Sequence, residues 1–169
     1  GTKGISFVSA DLSKMKEAVR VAGELDAPHL DALVLTTGIF AGPTREDTTE
    51  GIEKDMAVSY LNRYALLGEV ASTLGSARPA GAKKARVFVM GFPGAGEKGD
   101  PTDLNADRGY ESMPVHMNTV AANEALVLDV AKRNPHLAVF GLQYISVAGD
   151  DECDAGNGER CGDGDAGPE

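Results

Sequence analysis

The chain has 169 residues, of which 42% are hydrophobic, and its formal net charge is −10. This length is typical of one domain with a packed core. The acidic balance argues against binding to nucleic acid or to an anionic membrane surface, because both require a basic face. The sequence has no apolar run near the ~20 residues that span a bilayer and no signal-peptide pattern, so we expect a cytoplasmic protein.

Strand and helix patterns alternate in the first part of the chain. Residues 5–9 form a β-branched apolar run that is typical of a buried strand. A helix is predicted next, with Ser13 as its N-cap and with apolar residues at helical spacing over 15–25. Residues 31–35 are the next predicted strand, and their unbroken apolar pattern after Asp31 is typical of a central parallel strand.

Two longer helices are predicted over residues 46–74 and 114–133, with strands at 86–90 and 138–143. Gly75 is expected to end the first of these helices. The predicted core face of that helix has apolar residues spaced by three or four, at Ile52, Met56, Tyr60, Tyr64, Leu67 and Ala71. The start of the helix is acidic and is expected to be solvated, with Glu46, Asp47, Glu50, Glu53 and Asp55.

This alternation predicts an α/β domain with a mostly parallel sheet and helices on both sides. Ligands of such sheets bind beyond the carboxyl ends of the strands. The residues expected at this edge are Asp11, Thr36, Thr37, Gly38, Gly91 and Phe92. Thr36 and Thr37 have two interpretations at this stage, ligand binding or the satisfaction of backbone groups at a strand end.

A glycine-rich segment in the second half, Gly94 to Gly99, fits the pattern Gly-x-Gly-x-x-Gly. A phosphate-binding turn must open a helix, whereas here Asp100 and Pro101 favour a turn. We therefore expect a mobile loop, which at this length can serve as a substrate lid.

Residues 1–147 are predicted to form the folded core, and residues 148–169 form an acidic, glycine-rich tail. The tail cannot bury enough apolar surface to offset its ordering entropy, so we expect it to be disordered. It contains Cys153 and Cys161, whose spacing favours two free thiols over a disulfide or a zinc site. The tail does not meet the requirements of a calcium-binding loop either, and no metal site is predicted.

Two segments resemble landmarks of the short-chain dehydrogenase/reductase family, in the right order. Residues 31–39 are similar to its fourth strand, whose Asn-Asn-Ala-Gly motif falls on 35–38. Residues 115–126 are similar to its active-site helix, whose Tyr-x-x-x-Lys pair falls on His116 and Val120. The resemblance covers residues 5–147 and implies a Rossmann-like three-layer αβα fold that is truncated at both ends. The family's first two strands, its glycine-rich turn and its seventh strand have no counterpart in the sequence.

The resemblance also implies a cofactor and a set of site residues. NAD or NADP would contact Asp11, Thr36, Thr37 and Gly38. His116 would stand in place of the proton-transferring tyrosine, and Ser59 in place of the catalytic asparagine. A histidine can carry a proton near neutral pH, but the sequence gives His116 no evident partner.

Since the glycine-rich turn and the lysine are missing, we expect weak or absent cofactor binding. The resulting prediction is an oxidoreductase-like protein that is inactive or strongly impaired. The alternative is a non-catalytic Rossmann-like module that acts through binding or oligomerisation. The helices at 46–74 and 114–133 correspond to the pair that forms the family's dimer interface, so a homodimer through them is predicted as well.

Overall fold

The computed structural model describes residues 4–40, 42–91, 96 and 98–143. The predictions for the tail at 148–169, for its two cysteines and for Phe92 lie outside the described residues. The same holds for most of the glycine-rich segment between Gly94 and Gly99. The next helix after this segment begins only at Ser112, and Asp100 Oδ1 accepts a hydrogen bond from Thr102 N in a turn.

A parallel sheet of three strands forms the centre of the fold. The strands are β1 (Ala32–Leu35), β2 (Arg86–Gly91) and β3 (Ala138–Gln143), in the order β1-β2-β3. Both pairs are parallel. The predicted strands at 31–35, 86–90 and 138–143 are therefore confirmed.

In the described part of the chain, three helices pack against one face of the sheet. α1 spans Met15–Glu24 and is followed by a 3₁₀ turn at Ala27–His29. α2 is continuous but has three segments, α-helical at Lys54–Met56, π-helical at Ala57–Leu61 and α-helical again at Asn62–Val70. α3 spans Ser112–Arg133. In the described part of the chain, none of these helices has the length and apolar character needed to cross a membrane.

The hydrophobic core lies between these helices and one face of the sheet. Val87 on the central strand is fully buried and is in register with Leu33 and Val139. The helices contribute apolar side chains to the same cluster, among them Ala22, Leu66, Leu67, Val70, Leu126 and Val130. This arrangement, a parallel sheet with packed helices, confirms the predicted Rossmann-like α/β class.

The opposite face of the sheet is also apolar. Val34, Phe88 and Phe140 are in register across the three strands, and the two phenylalanine rings stack at 5.2 Å. Val34 is 54% exposed and Phe140 is 43% exposed. The described residues therefore provide one of the two helical layers that the sequence predicts.

The strand predicted at residues 5–9 is wrong, because this segment has no regular secondary structure. Ile5 is 84% exposed and Phe7 is 92% exposed. Strand propensity alone does not form a strand, since an extended segment needs a neighbouring strand to satisfy its backbone groups. In the described sheet, this segment pairs with neither edge.

The N-cap predicted for the first helix is also wrong. The Ser13 hydroxyl donates to Asp11 Oδ1 at 2.6 Å and does not cap the helix. The backbone N–H of Met15, at the first residue of α1, donates to Glu50 Oε2 at 2.8 Å. A distant carboxylate therefore satisfies the start of α1, which local sequence reasoning could not detect.

α2 begins at Lys54, not at Glu46 as predicted. Asp47 and Glu53 form an antiparallel bridge around a turn at Gly51, which has a φ of +74°. Glu53 is then the N-cap, and its carboxylate accepts from Asp55 N and Met56 N. Glu53 and Asp55 are buried, so the expectation of a solvated acidic start is correct only for Glu46, Asp47 and Glu50.

The π-helical segment changes which face of α2 is buried. A π turn contains an extra residue, so the residues after it are rotated relative to the α-helical spacing used for prediction. Tyr64, predicted on the core face, is 49% exposed, whereas Asn62 and Arg63 are buried. Met56, Leu67 and Ala71 are buried as predicted, and Gly75 adopts the expected positive φ of 73°.

Candidate functional site

A cavity of about 190 Å³ lies at the carboxyl edge of the sheet, where the topology places ligand sites. We call it the strand-end cavity. It is lined by the loop after β1, the end of β2 and the facing sides of α2 and α3. The lining residues are Thr36, Gly38, Ile39, Ser59, Arg63, Met90, Gly91, His116, Thr119, Val120 and Asn123.

A larger groove of about 980 Å³ runs between the loop before α3 and the start of that helix. Two of the three acidic side chains that line it hold the loop in place. Asp100 and Asp103 both pair with Arg108 and accept hydrogen bonds from backbone N–H groups of the loop. The smaller cavity is the better candidate for chemistry, because it contains the partnered histidine described next.

His116 is held by a buried carboxylate. Its Nδ1 atom lies 2.8 Å from Oδ2 of Asp55, a residue with 0% exposure. The other carboxylate oxygen of Asp55 accepts a hydrogen bond from the Ser59 hydroxyl. The Phe40 ring packs against the imidazole at a centroid distance of 4.5 Å. The interpretation of His116 as a histidine without a partner is therefore wrong.

This arrangement suits proton transfer. A carboxylate that accepts from Nδ1–H fixes the tautomer of a histidine and leaves Nε2 as its acid–base atom. Asp55 and Ser59 are four residues apart on α2 and therefore lie on one face of the helix. α3 supplies His116 from its second turn. The Ser59 hydroxyl also contacts the backbone N and O of Ile39, which ties the loop after β1 to the helix.

A second buried polar group, the guanidinium of Arg63, borders the same cavity and is 3% exposed. Nη2 donates to the carbonyl of Thr37. Nη1 donates to the carbonyl of Met90 and, at 2.9 Å, to Oδ1 of Asn123. Nε has no partner among the described residues. Burial lowers the pKa of Arg63 to about 10, so the side chain remains charged at neutral pH.

Three of the four predicted cofactor residues are at this edge. Thr36 and Gly38 line the cavity, and the Thr37 carbonyl binds Arg63. The Thr37 hydroxyl donates to Asn62 at 3.2 Å, so it satisfies a protein group. A Cβ atom on Gly38 would lie 3.6 Å from Arg63 Nη2 and 3.7 Å from Ser59 Oγ.

Asp11 is not among the residues that line the cavity. It interacts with Ser13 and with Lys14, whose Nζ atom lies 3.0 Å away. Hydrogen bonds from Ser13 and Lys14 lower the pKa of Asp11 to about 2. Its predicted contact with NAD or NADP stays a prediction.

Sequence reasoning missed Asp55, Arg63 and Asn123. Asp55 looked like one more acidic residue at a helix start, although its spacing to Ser59 was a usable signal. Arg63 was hidden by the π segment, which rotates it inward. Asn123 donates to the carbonyls of Ser59 and Thr119 at 2.8 and 2.7 Å, and it connects α3 to α2.

Tyr110, which lies six residues before His116 in the sequence, contacts the loop after β1. Its hydroxyl donates to the Gly42 carbonyl at 2.9 Å. Burial, and then the negative charges of Glu53 and Asp55, raise its pKa. It borders a separate cavity of about 140 Å³ and does not line the strand-end cavity. Within the described residues, no group of three or more His, Cys, Asp or Glu side chains could hold a metal ion.

Comparison with known proteins gives two relatives among curated sequences. The chain is 49% identical over 141 residues to an uncharacterized oxidoreductase of Saccharomyces cerevisiae, a match that covers 82% of this chain and 46% of the yeast protein. It is 23% identical over 136 residues to an NmrA-like family domain-containing oxidoreductase of an Aspergillus species, over 79% of this chain and 40% of that protein. The chain thus spans less than half of each relative. No protein-family model matches it.

Solved structures share the fold. An NADH-dependent reductase responsible for alginate metabolism superposes with a TM-score of 0.61 at 15% identity, over 82% of this chain and 55% of the reductase. A short chain dehydrogenase/reductase family protein superposes with a TM-score of 0.54 at 23% identity, over 81% of this chain and 52% of that protein. The chain therefore has the Rossmann-like fold of the short-chain dehydrogenases, and both of the sequence relatives named above are described as oxidoreductases.

The burial of the Asp55–His116 pair leads to a stability prediction with a matched control. Asp55→Ala is expected to lower the free energy of unfolding by about 1 to 3 kcal/mol, because the partly buried His116 ring and the buried Ser59 hydroxyl lose their shared acceptor. Asp26→Ala removes a similar contact, 2.9 Å from Asp26 Oδ1 to His29 Nδ1, between largely exposed side chains. It should cost less than about 1 kcal/mol. Urea denaturation measures both values, and equal losses would show that the Asp55 contact is not special.

Proposed function

We propose that this chain forms part of an NAD(P)-dependent oxidoreductase of the short-chain dehydrogenase type, with His116 as its proton-transferring residue. One observation carries the proposal. Buried Asp55 holds His116 at the strand-end cavity, at the position where the family resemblance places the proton-transferring tyrosine. The sequence relatives described as oxidoreductases support the reaction class.

The cavity suits part of a nicotinamide cofactor. It lies beyond the carboxyl ends of parallel strands, and Gly38 and Gly91 are among the residues that line it. Its volume of about 190 Å³ is below the ~300 to 1,000 Å³ of pockets that enclose a drug-sized ligand. The cavity therefore accommodates a ring-sized group, and Thr36, Gly38 and Gly91 are the residues that would hold it.

Three residues of this chain, His116, Asp55 and Ser59, have different roles in the proposed proton transfer. When bound, the cofactor would supply or accept the hydride at the substrate carbon. His116 Nε2 gives a proton to the carbonyl oxygen in reduction and takes it from the alcohol in oxidation. Asp55 stabilises the charged imidazole. The Ser59 hydroxyl is engaged with Asp55 and Ile39, so Ser59 is a positioning residue that orients the carboxylate.

Cofactor affinity is expected to be low in the 169-residue chain. The described cavity encloses only a ring-sized part of the dinucleotide, and Val120 offers neither charge nor donor where the resemblance places a lysine. We predict a dissociation constant for NADH or NADPH weaker than about 1 mM, a binding free energy no better than about −4 kcal/mol. Titration of NADH fluorescence measures it, and a micromolar constant would contradict this part of the proposal.

Turnover is expected to be strongly impaired but dependent on His116. With millimolar NADH or NADPH and a panel of ketones and aldehydes, His116→Gln should lower any carbonyl reduction by about 100-fold or more, because proton transfer is lost. His136→Gln is the matched control, since His136 is exposed and is not among the residues that line the strand-end cavity. Equal rates for wild type and His116→Gln, measured by cofactor absorbance, would refute the assignment.

A non-catalytic binding or oligomerisation module is the second candidate. It is favoured by exposed apolar residues on the two helices predicted to form a dimer interface. Tyr64 on α2 is 49% exposed, and Leu128 on α3 is 66% exposed. Wild-type protein that shows no turnover in the carbonyl panel and sediments as a dimer would favour this candidate.

A further inference from the structure

Arg63 is a buried cation whose partners carry no formal charge. Its two Nη atoms bind the carbonyls of Thr37 and Met90 and the side-chain oxygen of Asn123. These contacts fasten the ends of β1 and β2 to α2 and α3. Among the described residues, no carboxylate forms an ion pair with Arg63, although the chain as a whole is acidic.

Burial of this charged group lowers the stability of the fold, and a role limited to holding the strand ends together does not offset that loss. A buried charge loses its hydration, and neutral carbonyls recover only part of that loss. Nε is also buried and has no partner in the described ranges of the chain, which adds an unsatisfied donor. Neutral side chains could join the two strand ends at lower cost. Retention of the charge therefore points to an effect on the cavity that the guanidinium borders.

The charge and the histidine belong to one hydrogen-bonded assembly. Arg63 Nη2 and Ser59 Oγ both lie within 4 Å of the position that a Cβ on Gly38 would occupy. Ser59 binds Asp55, and Asp55 binds His116. Asn123 accepts from Arg63 and donates to the Ser59 carbonyl. A fixed positive charge thus borders the cavity in which His116 presents its ring.

We propose that Arg63 is a positioning residue that acts through its charge. Its guanidinium disfavours a second positive charge on His116, and it stabilises negative charge that develops on a substrate oxygen in the strand-end cavity. The inference rests on the proposed function for the role of His116. Asp55 binds the histidine, and the neighbouring cavity that Asp55 also borders contains four more titratable groups, Glu46, Glu53, Lys54 and Tyr110.

Titration of the histidines by NMR tests the proposal without any turnover. The ring signals of His29, His116 and His136 are followed against pH in wild type, Arg63→Met and Arg63→Lys, with Arg20→Met as the control. In Arg63→Met the titration midpoint of His116 should rise by about 0.5 to 1 pH unit, because a nearby positive charge no longer opposes protonation. Arg63→Lys and Arg20→Met should leave that midpoint within about 0.2 pH units of the wild-type value.

His29 and His136 serve as internal controls, and their midpoints should not move in any variant. An unchanged His116 midpoint in folded Arg63→Met would overturn the proposal and make Arg63 a structural clamp. Arg63→Gln, which keeps a donor for the strand-end carbonyls, is the second neutral variant. Variants that unfold are repeated in sucrose, which strengthens burial. Loss of the fold in all three Arg63 variants even there would also overturn the proposal.

These outcomes are separable from the fate of the proposed function. If His116→Gln has full carbonyl reductase activity, the proposed function fails, while the titration still reports whether Arg63 acts on His116. If the His116 midpoint does not respond to Arg63, only the role of Arg63 fails. Both proposals are supported if the His116 midpoint shifts in Arg63→Met and carbonyl reduction is lost in His116→Gln.

Discussion

A carboxylate that is fully buried must find hydrogen-bond donors, and Asp55 finds them on two helices. Ser59 donates to it from the next turn of α2, and His116 approaches it from α3. A second buried carboxylate supports this region. Glu53, also buried, caps α2 and orders the turn that carries Asp55. The candidate site depends on this carboxylate, because it fixes the direction of the His116 ring.

The π-helical segment of α2 is the second constraint. Ser59 lies within this segment, and Asn62 and Arg63 follow it directly. A regular α-helix would place these side chains differently relative to the sheet, with Tyr64 on the core face. Single π turns inside α-helices are often found at functional sites. Here the π turn brings a hydroxyl, an amide and a guanidinium to the same strand ends, and the site is built around them.

The sequence was sufficient for the class of the fold and for the edge of the sheet that carries the cavity. Three strands were readable from unbroken apolar runs, because buried parallel strands have that pattern. Thr36, Gly38 and Gly91 were identified because ligands bind where such strands end. The strand at 5–9 was mispredicted, because propensity does not report whether a pairing partner exists.

The contacts that give the site its chemistry were not readable from local patterns. The Asp55–His116 contact joins residues that are 61 positions apart, and only tertiary packing creates it. The burial of Arg63 follows from a π turn that has no known signature in this sequence. The resemblance to the dehydrogenase family singled out His116, which lines the cavity, but it could not supply the partner, because the family uses a different residue pair.

The tautomer of the uncharged His116 ring shows directly whether Asp55 orients this histidine. At alkaline pH, where the imidazole ring is uncharged, long-range ¹H–¹⁵N correlation spectra distinguish a protonated Nδ1 from a protonated Nε2. We expect a proton on Nδ1, donated to Asp55, and an unprotonated Nε2 that is open to the cavity. In Asp55→Asn this preference should weaken or reverse. A proton on Nε2 in the wild-type protein would contradict the assignment of His116 as the acid–base residue oriented by Asp55.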